Sequence, residues 1–414
     1  MRFQKNGQIW DSRANGADVG RGRQSHSAMI LPSMLTLRGA DIILPALSTA
    51  HSHAFQRAMR GTAQRRGEAR DDFWSWRGQM YRAATAMTPE HLEVVARVAY
   101  TELRAAGVRT VGEFHYLHHQ ADGTPYAERT LLSDVLIRVA KELGMRISLL
   151  RCIYHRAGPG RPAEPGQKRF CDDHLDRALG DVETLLSRYG KDPDVRVGLA
   201  PHSVRALPPG WLPEIAAFAA KHDLPLHMHV SEQPREIAEC IEETGKRPVE
   251  LLADQGMLGP RFVAVHATHL APHEAELLGR AQSYACLCPS TERDLGDGLC
   301  DVAALRNAGA LLCTGIDSHV ITDPIEELRS IETHERLRTL ARITFSPSDR
   351  APAEALWQAG SIHGARAVGF DDAGGTLCID RGHPTLALCR DEDLLDAIVF
   401  SGAGSMVKSV SADP

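Results

Sequence analysis

Short apolar runs of strand length recur along this chain, separated by longer stretches in which apolar residues return every three or four positions. The runs are Ile43–Ala50, Arg109–Phe114, Arg146–Ile153, Val195–Ala200, Leu224–His229, Phe262–His266, Ser283–Cys288 and Ala310–Ile316. Apolar runs this short fit buried strands, and the spacing between them fits amphipathic helices. The helical stretches lie near 88–106, 127–143, 173–189, 210–222, 234–255, 271–280, 301–308, 324–341 and 351–367. Thr88-Pro89-Glu90 supplies an N-cap and a first-turn proline, and Gly107 a stop. Strand and helix alternating eight times predicts a (β/α)8 barrel of the TIM type over residues 43–370. An open doubly wound sheet would want a glycine-rich phosphate turn after its first strand. Here that place holds His51-Ser52-His53.

The ends of the chain read differently. Residues 1–26 are polar and glycine-rich, and only Ala28–Leu37 and Ile42–Leu47 look strand-like. After the last helix, Gly375–Asp380, Thr385–Cys389, Asp396–Ser401 and Ser405–Val410 read as short strands. Segments 1–42 and 371–414 are therefore expected to form a small, incomplete β-sandwich domain beside the barrel domain.

Composition narrows the function classes. With 414 residues, 43% hydrophobic and 24% charged, the chain has ordinary globular values. Acidic residues exceed basic ones, 53 to 47, a net charge of −6 that argues against a nucleic-acid partner. No apolar run is long enough for a membrane span, and the N-terminus lacks the apolar core of a secretory signal. Nine scattered cysteines, an odd number, read as reduced thiols in a cytoplasmic protein. The unusual count is 20 histidines.

Many of those histidines stand where strands end. The predicted strands run into His51-Ser52-His53, His115-Tyr116, His202-Ser203-Val204-Arg205, His227-Met228-His229 with Glu232 beyond, His266-Ala267-Thr268-His269, and Asp317-Ser318-His319. In a barrel, all these ends meet at one mouth, where catalysis occurs. Residues i and i+2 of a strand share a face, so His51 and His53 can address one ion. A histidine from the fifth strand and the carboxylate of Asp317 complete a set of three nitrogens and one oxygen. With an open position, such a set suits one Zn2+, and Fe2+ or Mn2+ fit nearly as well by ligand type. His227 is the weaker of its pair and reads as a packed neighbour. His269 and His319 read as supporting groups, and strand alternation explains Cys286 and Cys288 without ligation.

With these segments in view, the sequence resembles the amidohydrolase superfamily and, within it, the formimidoylglutamate deiminases. The resemblance rests on His51-Ser-His-Ala-Phe-Gln-Arg57, Phe73-Trp-Ser-Trp-Arg77, Val111-Gly-Glu-Phe-His-Tyr116, Leu199-Ala-Pro-His-Ser-Val-Arg205, His227-Met-His-Val-Ser-Glu-Gln233, Val265-His-Ala-Thr-His269, Leu295-Gly-Asp-Gly298 and Asp317-Ser-His319. It implies His51, His53, His229 and Asp317 as zinc ligands, and Glu232 and His266, with Asp317, as the proton-transfer groups. It implies Gln56, Arg77, Tyr116, His202 and Arg205 as contacts to a small dicarboxylate substrate. It also implies a homodimer and a place in histidine degradation. Two-metal members of the superfamily carry a bridging modified lysine after the fourth strand. Val195–Arg205 has no lysine, which favours a single metal.

The implied reaction is hydrolytic deimination of N-formimino-L-glutamate to N-formyl-L-glutamate and ammonia. Two carboxylates call for arginines, whose forked donors grip them, and Arg77 and Arg205 are the candidates. One alternative is a single-metal deaminase acting on a purine, pterin or related amidine. Another is a barrel that has lost catalysis and serves in binding. The termini depart from the family pattern: Gly375-Thr-Leu-Cys-Ile-Asp-Arg-Gly382 replaces its usual Gly-Arg-Arg-Ala-Asp-Leu-Val run.

Overall fold

In a computed structural model of the chain, residues 34–65, 67, 71–346 and 351–412 are described. Eight parallel strands form one sheet: β3 (Leu47–Ser52), β4 (Val108–His115), β5 (Arg146–Ile153), β8 (Val195–Pro201), β9 (Leu226–Val230), β10 (Phe262–His266), β11 (Tyr284–Leu287) and β12 (Leu311–Thr314). Each pairs with the next in chain order. The last and first strands meet through a parallel bridge between Ser52 and Asp317, so the sheet nearly closes into a barrel. Nearly every residue of these strands is buried, as expected where a barrel interior and a helical ring cover both faces.

The helices follow the strands in order. After β3 come α1 (Phe73–Ala86) and α2 (Pro89–Ala105), and after β4, α3 (Leu131–Glu142). Beyond β5 the chain makes a small ribbon, β6 (Arg156–Gly158) with β7 (Arg161–Pro162), then α4 (Leu175–Tyr189). Next are α5 (Leu212–His222), α6 (Pro234–Thr244), α7 (Pro248–Asp254), α8 (Pro272–Arg280), α9 (Pro289–Leu295) and α10 (Val302–Asn307). α11 (Pro324–Thr339), α12 (Pro352–Gln358) and α13 (Gly364–Ala367) follow β12. The stretch read as one helix over 234–255 is two, because Gly245 turns left-handed (φ 72°) and ends α6. Among the described residues, no helix is long and apolar enough to cross a membrane.

The terminal segments form a separate antiparallel sheet in the order β1 (Thr36–Arg38), β2 (Asp41–Pro45), β13 (Thr376–Asp380), β14 (Val407–Ser411). The run Ile43–Ala50 is thus not one strand. It breaks after Pro45, whose carbonyl accepts the indole N–H of the fully buried Trp357 at 3.1 Å. β2 joins the terminal sheet, pairing Leu44 with Leu377, and β3 opens the barrel. Two further expectations are corrected. Thr385–Cys389 holds a 3-10 turn at Pro384–Leu386, and Asp396–Ser401 lies in α14 (Leu394–Ser401). α14 buries Leu394, Ile398 and Val399 on one face, and Arg329 donates to the carbonyls of Val399 and Gly402 at its end. Of the strand-like N-terminal run, Ala28–Ser33 lies outside the described residues.

Candidate active site

The barrel mouth gathers the histidines at one point. Strand pleating sends His51 and His53 to the same side, and Asp317 reaches them across the closing seam: its N–H donates to His51 O and its carbonyl accepts from His53 N–H, both at 3.0 Å. β12 passes so close that a Cβ on Gly315 would lie 2.7 Å from the Cβ of His51. Asp317 Oδ1 stands 3.4 Å from His51 Nε2 and 3.3 Å from His53 Nε2. His229, from β9, brings its Nε2 to 3.2 Å from His51 Nε2.

Two of the three rings are oriented by backbone carbonyls. His53 Nδ1 lies 2.8 Å from Phe114 O and His229 Nδ1 3.0 Å from His202 O. A carbonyl only accepts, so each Nδ1 carries the proton and each Nε2 presents its lone pair inward. Burial, the neighbouring His51 charge and His266 lower the pKa of His53 to about 3, against the pull of Asp317 and the Phe114 carbonyl. Neutral imidazoles are the ligand form. Burial acts to raise the Asp317 pKa, but the hydrogen bond from His51 and the charges of His51, His53 and His266 hold it low.

These four groups fit a single divalent ion. Two ligands about 2.0–2.1 Å from a tetrahedral metal stand about 3.3 Å apart. Three of the six separations, His51–His229, His53–Asp317 and His51–Asp317, are 3.2, 3.3 and 3.4 Å, and His51, His53 and His229 bring their ligand atoms within 4.8 Å of one another. His51 Nδ1 is buried without a partner, so no contact fixes that ring's tautomer, and its Nε2 faces His229 Nε2 and Asp317 Oδ1 from the position of a ligand. His227 turns away, its Nε2 2.9 Å from Ala367 O. His319 Nε2 meets Ser52 Oγ at 2.9 Å and His269 Nε2 meets Asp297 O at 2.7 Å, both in supporting positions.

Next to this cluster stand His266 and Glu232. His266 Nε2 is 3.6 Å from Glu232 Oε1 and 3.8 Å from Asp317 Oδ2. Burial alone would lower the His266 pKa, yet the carboxylates of Glu232, Glu292 and Asp317 hold it well above the usual histidine value. Burial raises the Glu232 pKa, the His266 charge opposes this, and Asp317 adds to it. The site concentrates backbone strain, with left-handed φ at Ser231 (52°), His266 (68°), Ala267 (52°) and Asp317 (54°). Such strain collects where a reacting geometry is fixed.

A pocket opens over the cluster. It is lined by His53, His229, Glu232, His266 and Asp317, and also by Gln56, Arg77, Tyr116, His202 and Arg205. All the predicted site residues except His51, which lies beneath, therefore face one space. Gln56 Nε2 donates to Tyr116 OH at 2.9 Å, while Gln56 Oε1 is buried without a partner. His202 Nδ1 lies 3.0 Å from Ser203 Oγ. The Arg77 guanidinium stacks on Trp74 at 4.5 Å and on Tyr81 at 5.4 Å. Its Nη1 is buried and has no hydrogen-bond partner. Arg205 is buried and donates to Tyr154 OH at 3.4 Å and Ala157 O at 3.2 Å. Among the described residues, neither guanidinium forms an ion pair, and the buried Glu236 carboxylate acts on Arg205 only through space.

Sequence reading missed several supporting groups. Gln167 Nε2 ties Tyr81 OH and Tyr154 OH together at 2.8 and 2.9 Å, shaping the pocket wall. Glu113 accepts from Ser52 Oγ and Ala54 N–H, both at 2.8 Å, and clamps the segment that carries His51 and His53. Glu292 stands behind His266. Glu113 lies inside a quoted motif, but neither acid has a spacing that marks it.

Comparison with known proteins agrees with this geometry. The amidohydrolase family model matches residues 42–381. Formimidoylglutamate deiminase of Pseudomonas aeruginosa is 36% identical over 379 residues, 89% of this chain and 83% of that protein. The 8-oxoguanine deaminase of the same organism is 30% identical, over 87% of this chain and 76% of that one. Among solved structures, an amidohydrolase from Brucella melitensis superposes with a TM-score of 0.81 at 32% identity, covering 92% of this chain and 91% of the other. An adenosine deaminase from Xanthomonas campestris with bound zinc shares the fold at a TM-score of 0.75 and 22% identity, covering 90% and 80%. This chain belongs to the amidohydrolase family, and is a hydrolase acting on C–N bonds.

Proposed function

We propose that the protein hydrolyses N-formimino-L-glutamate to N-formyl-L-glutamate and ammonia, as in histidine degradation. The observation that carries this reading is the presence of two guanidiniums, the buried Arg205 and the half-buried Arg77 with its Nη1 buried and unpartnered, in the pocket that holds Glu232, His266 and Asp317. A substrate with two carboxylates offers each guanidinium a counter-charge, whereas a neutral purine or pterin offers neither one. The match to formimidoylglutamate deiminase supports the same substrate class. Tyr116, His202 and Gln56 supply further donors and acceptors along the same wall.

His51, His53, His229 and Asp317 would hold one Zn2+. When bound, the ion supplies a Lewis acid that lowers the pKa of water to about 7. Glu232 accepts the proton of the attacking water, with Asp317 beside it. His266, held cationic by its carboxylate neighbours, donates from Nε2 to the oxygen added at the formimino carbon. Glu232 then passes its proton to the amidine nitrogen that leaves. The added hydroxyl gives its remaining proton to Asp317, the carbon–nitrogen bond to that NH2 group breaks, ammonia departs, and the oxygen remains as the formyl carbonyl. Acid–base help of this kind typically contributes about 10²–10⁴-fold.

The test is ammonia release by the zinc-loaded protein from N-formimino-L-glutamate, 8-oxoguanine and adenosine in parallel. A kcat/KM at least about 100-fold higher for formiminoglutamate, equal to about 2.7 kcal/mol of discrimination, supports the reading. Preference for either heterocycle overturns it.

A further inference from the structure

We infer that Glu292 is a positioning residue for the reaction, fixing His266 by the ring nitrogen that faces away from the substrate. The inference rests on the function proposed above and says how its pocket is held in working order.

His266 ends β10 in a left-handed conformation, and Ala267 follows in another. Neither is a glycine, so this backbone persists only where surrounding contacts enforce it. The ring lies between carboxylates. Nε2 faces Glu232 at 3.6 Å and Asp317 Oδ2 at 3.8 Å, both in the pocket wall. On the other edge, Nδ1 is 3.2 Å from Glu292 Oε1. Glu292 is not part of that wall. It sits on α9, 5% exposed, and its Oε1 is pinned in turn by the Cys288 N–H at 2.8 Å.

This geometry divides the labour of the two ring nitrogens. With both carboxylate and backbone in place, Nδ1–H donates to Glu292 whatever happens at the other edge, and Nε2 is left to exchange hydrogen bonds with the reacting atoms. Cys288 Sγ belongs to the same buried cluster. Burial pushes that thiol's pKa well up, so it stays protonated and competes poorly as an acceptor. Without Glu292, nothing holds Nδ1 in place, the ring is free to turn, and the Nε2–H aimed at the substrate oxygen would be misdirected for part of the time. The expected signature falls on turnover rather than binding, because Arg77 and Arg205 stand apart from this contact.

Two variants test this. Glu292→Leu removes the acceptor, and Glu292→Gln keeps a carbonyl oxygen where Oε1 stands. Glu292→Leu should lower kcat about 10–100-fold, the range typical for loss of an imidazole's outer partner, with KM and zinc content as in the parent. Glu292→Gln should recover most of that loss. Independently of activity, the parent should show a downfield, slowly exchanging imidazole N–H signal that disappears in both His266→Asn and Glu292→Leu. A Glu292→Leu protein with parental kcat, or one whose kcat, KM and zinc content fall together, overturns the inference. A downfield signal that survives Glu292→Leu also overturns it. A parent inactive on formiminoglutamate overturns the functional reading instead, and the proton signal then judges Glu292 alone.

Discussion

His51 and Asp317, 266 positions apart in sequence, are joined twice: the Asp317 N–H donates to the His51 carbonyl at 3.0 Å, and the side chains face each other at 3.4 Å. The seam that closes the barrel is therefore also one edge of the ligand cluster. A cation held there ties the first strand to the last, so metal binding and barrel closure reinforce each other.

Glu113 gives that seam its second support. Burial raises its pKa to about 7, and the hydrogen bonds from Ala54 and Ser52 work in the opposite direction. Glu113→Ala leaves Ser52 Oγ and Ala54 N–H without their acceptor and loosens His51 and His53. Zinc affinity, measured by competition with a chelator, should fall about 10–100-fold. Unchanged affinity would show that the clamp does not govern the ligands.

Arg77 and Arg205 act on binding. Replacing either with Met should raise KM for formiminoglutamate at least about tenfold while kcat changes little, the pattern of lost uniform binding. Steady-state kinetics on zinc-replete protein measures this, and a fall in kcat with KM unchanged would contradict the assignment.

Glu232 acts on chemistry. Glu232→Gln keeps size and polarity but cannot carry the proton, so kcat should drop about 10²–10⁴-fold with one zinc still bound. Parental turnover in that variant would remove Glu232 from the mechanism.

Glu327 predicts a pH effect on stability remote from the substrate. Burial pushes its pKa from 4.5 up to about 8, with Ser290 and Arg293 opposing and Glu292 adding. Between those values the folded state keeps a proton that the unfolded chain has released, so stability falls as pH rises through this window and levels off above it. Glu327→Gln retains an acceptor for the Ser290 N–H, now at 3.0 Å from the carboxylate. Relative to the parent, the variant should gain on the order of a few kcal/mol between pH 5 and pH 8.5. Denaturant melts at the two pH values check this, and an equal gap at both would count against a protonated Glu327.

The barrel was legible because short, largely apolar segments recur at strand length, and the ligand cluster because His51, His53, His229 and Asp317 stand at the ends of such segments. Patterning was weakest where short apolar stretches lack context. Ile398-Val399-Phe400 reads as strand by composition, yet it is helical because Arg329 caps its end and α14 buries one face. Pro45 and Gly245 cut elements that periodicity alone ran together. His229 could be preferred over His227, but only the Ala367 carbonyl explains why His227 points away. Glu292 had no sequence mark, since its partner lies 26 positions upstream and the contact exists only once β10 and β11 are side by side.

The central claim is that one cation, held by His51, His53, His229 and Asp317, is required for deimination. The most direct measurement is a zinc titration of chelator-stripped protein, following ammonia release from N-formimino-L-glutamate. Activity should rise linearly from near zero to a plateau at one equivalent per chain. Full activity in the stripped protein, or a rise that continues to two equivalents, would contradict the account.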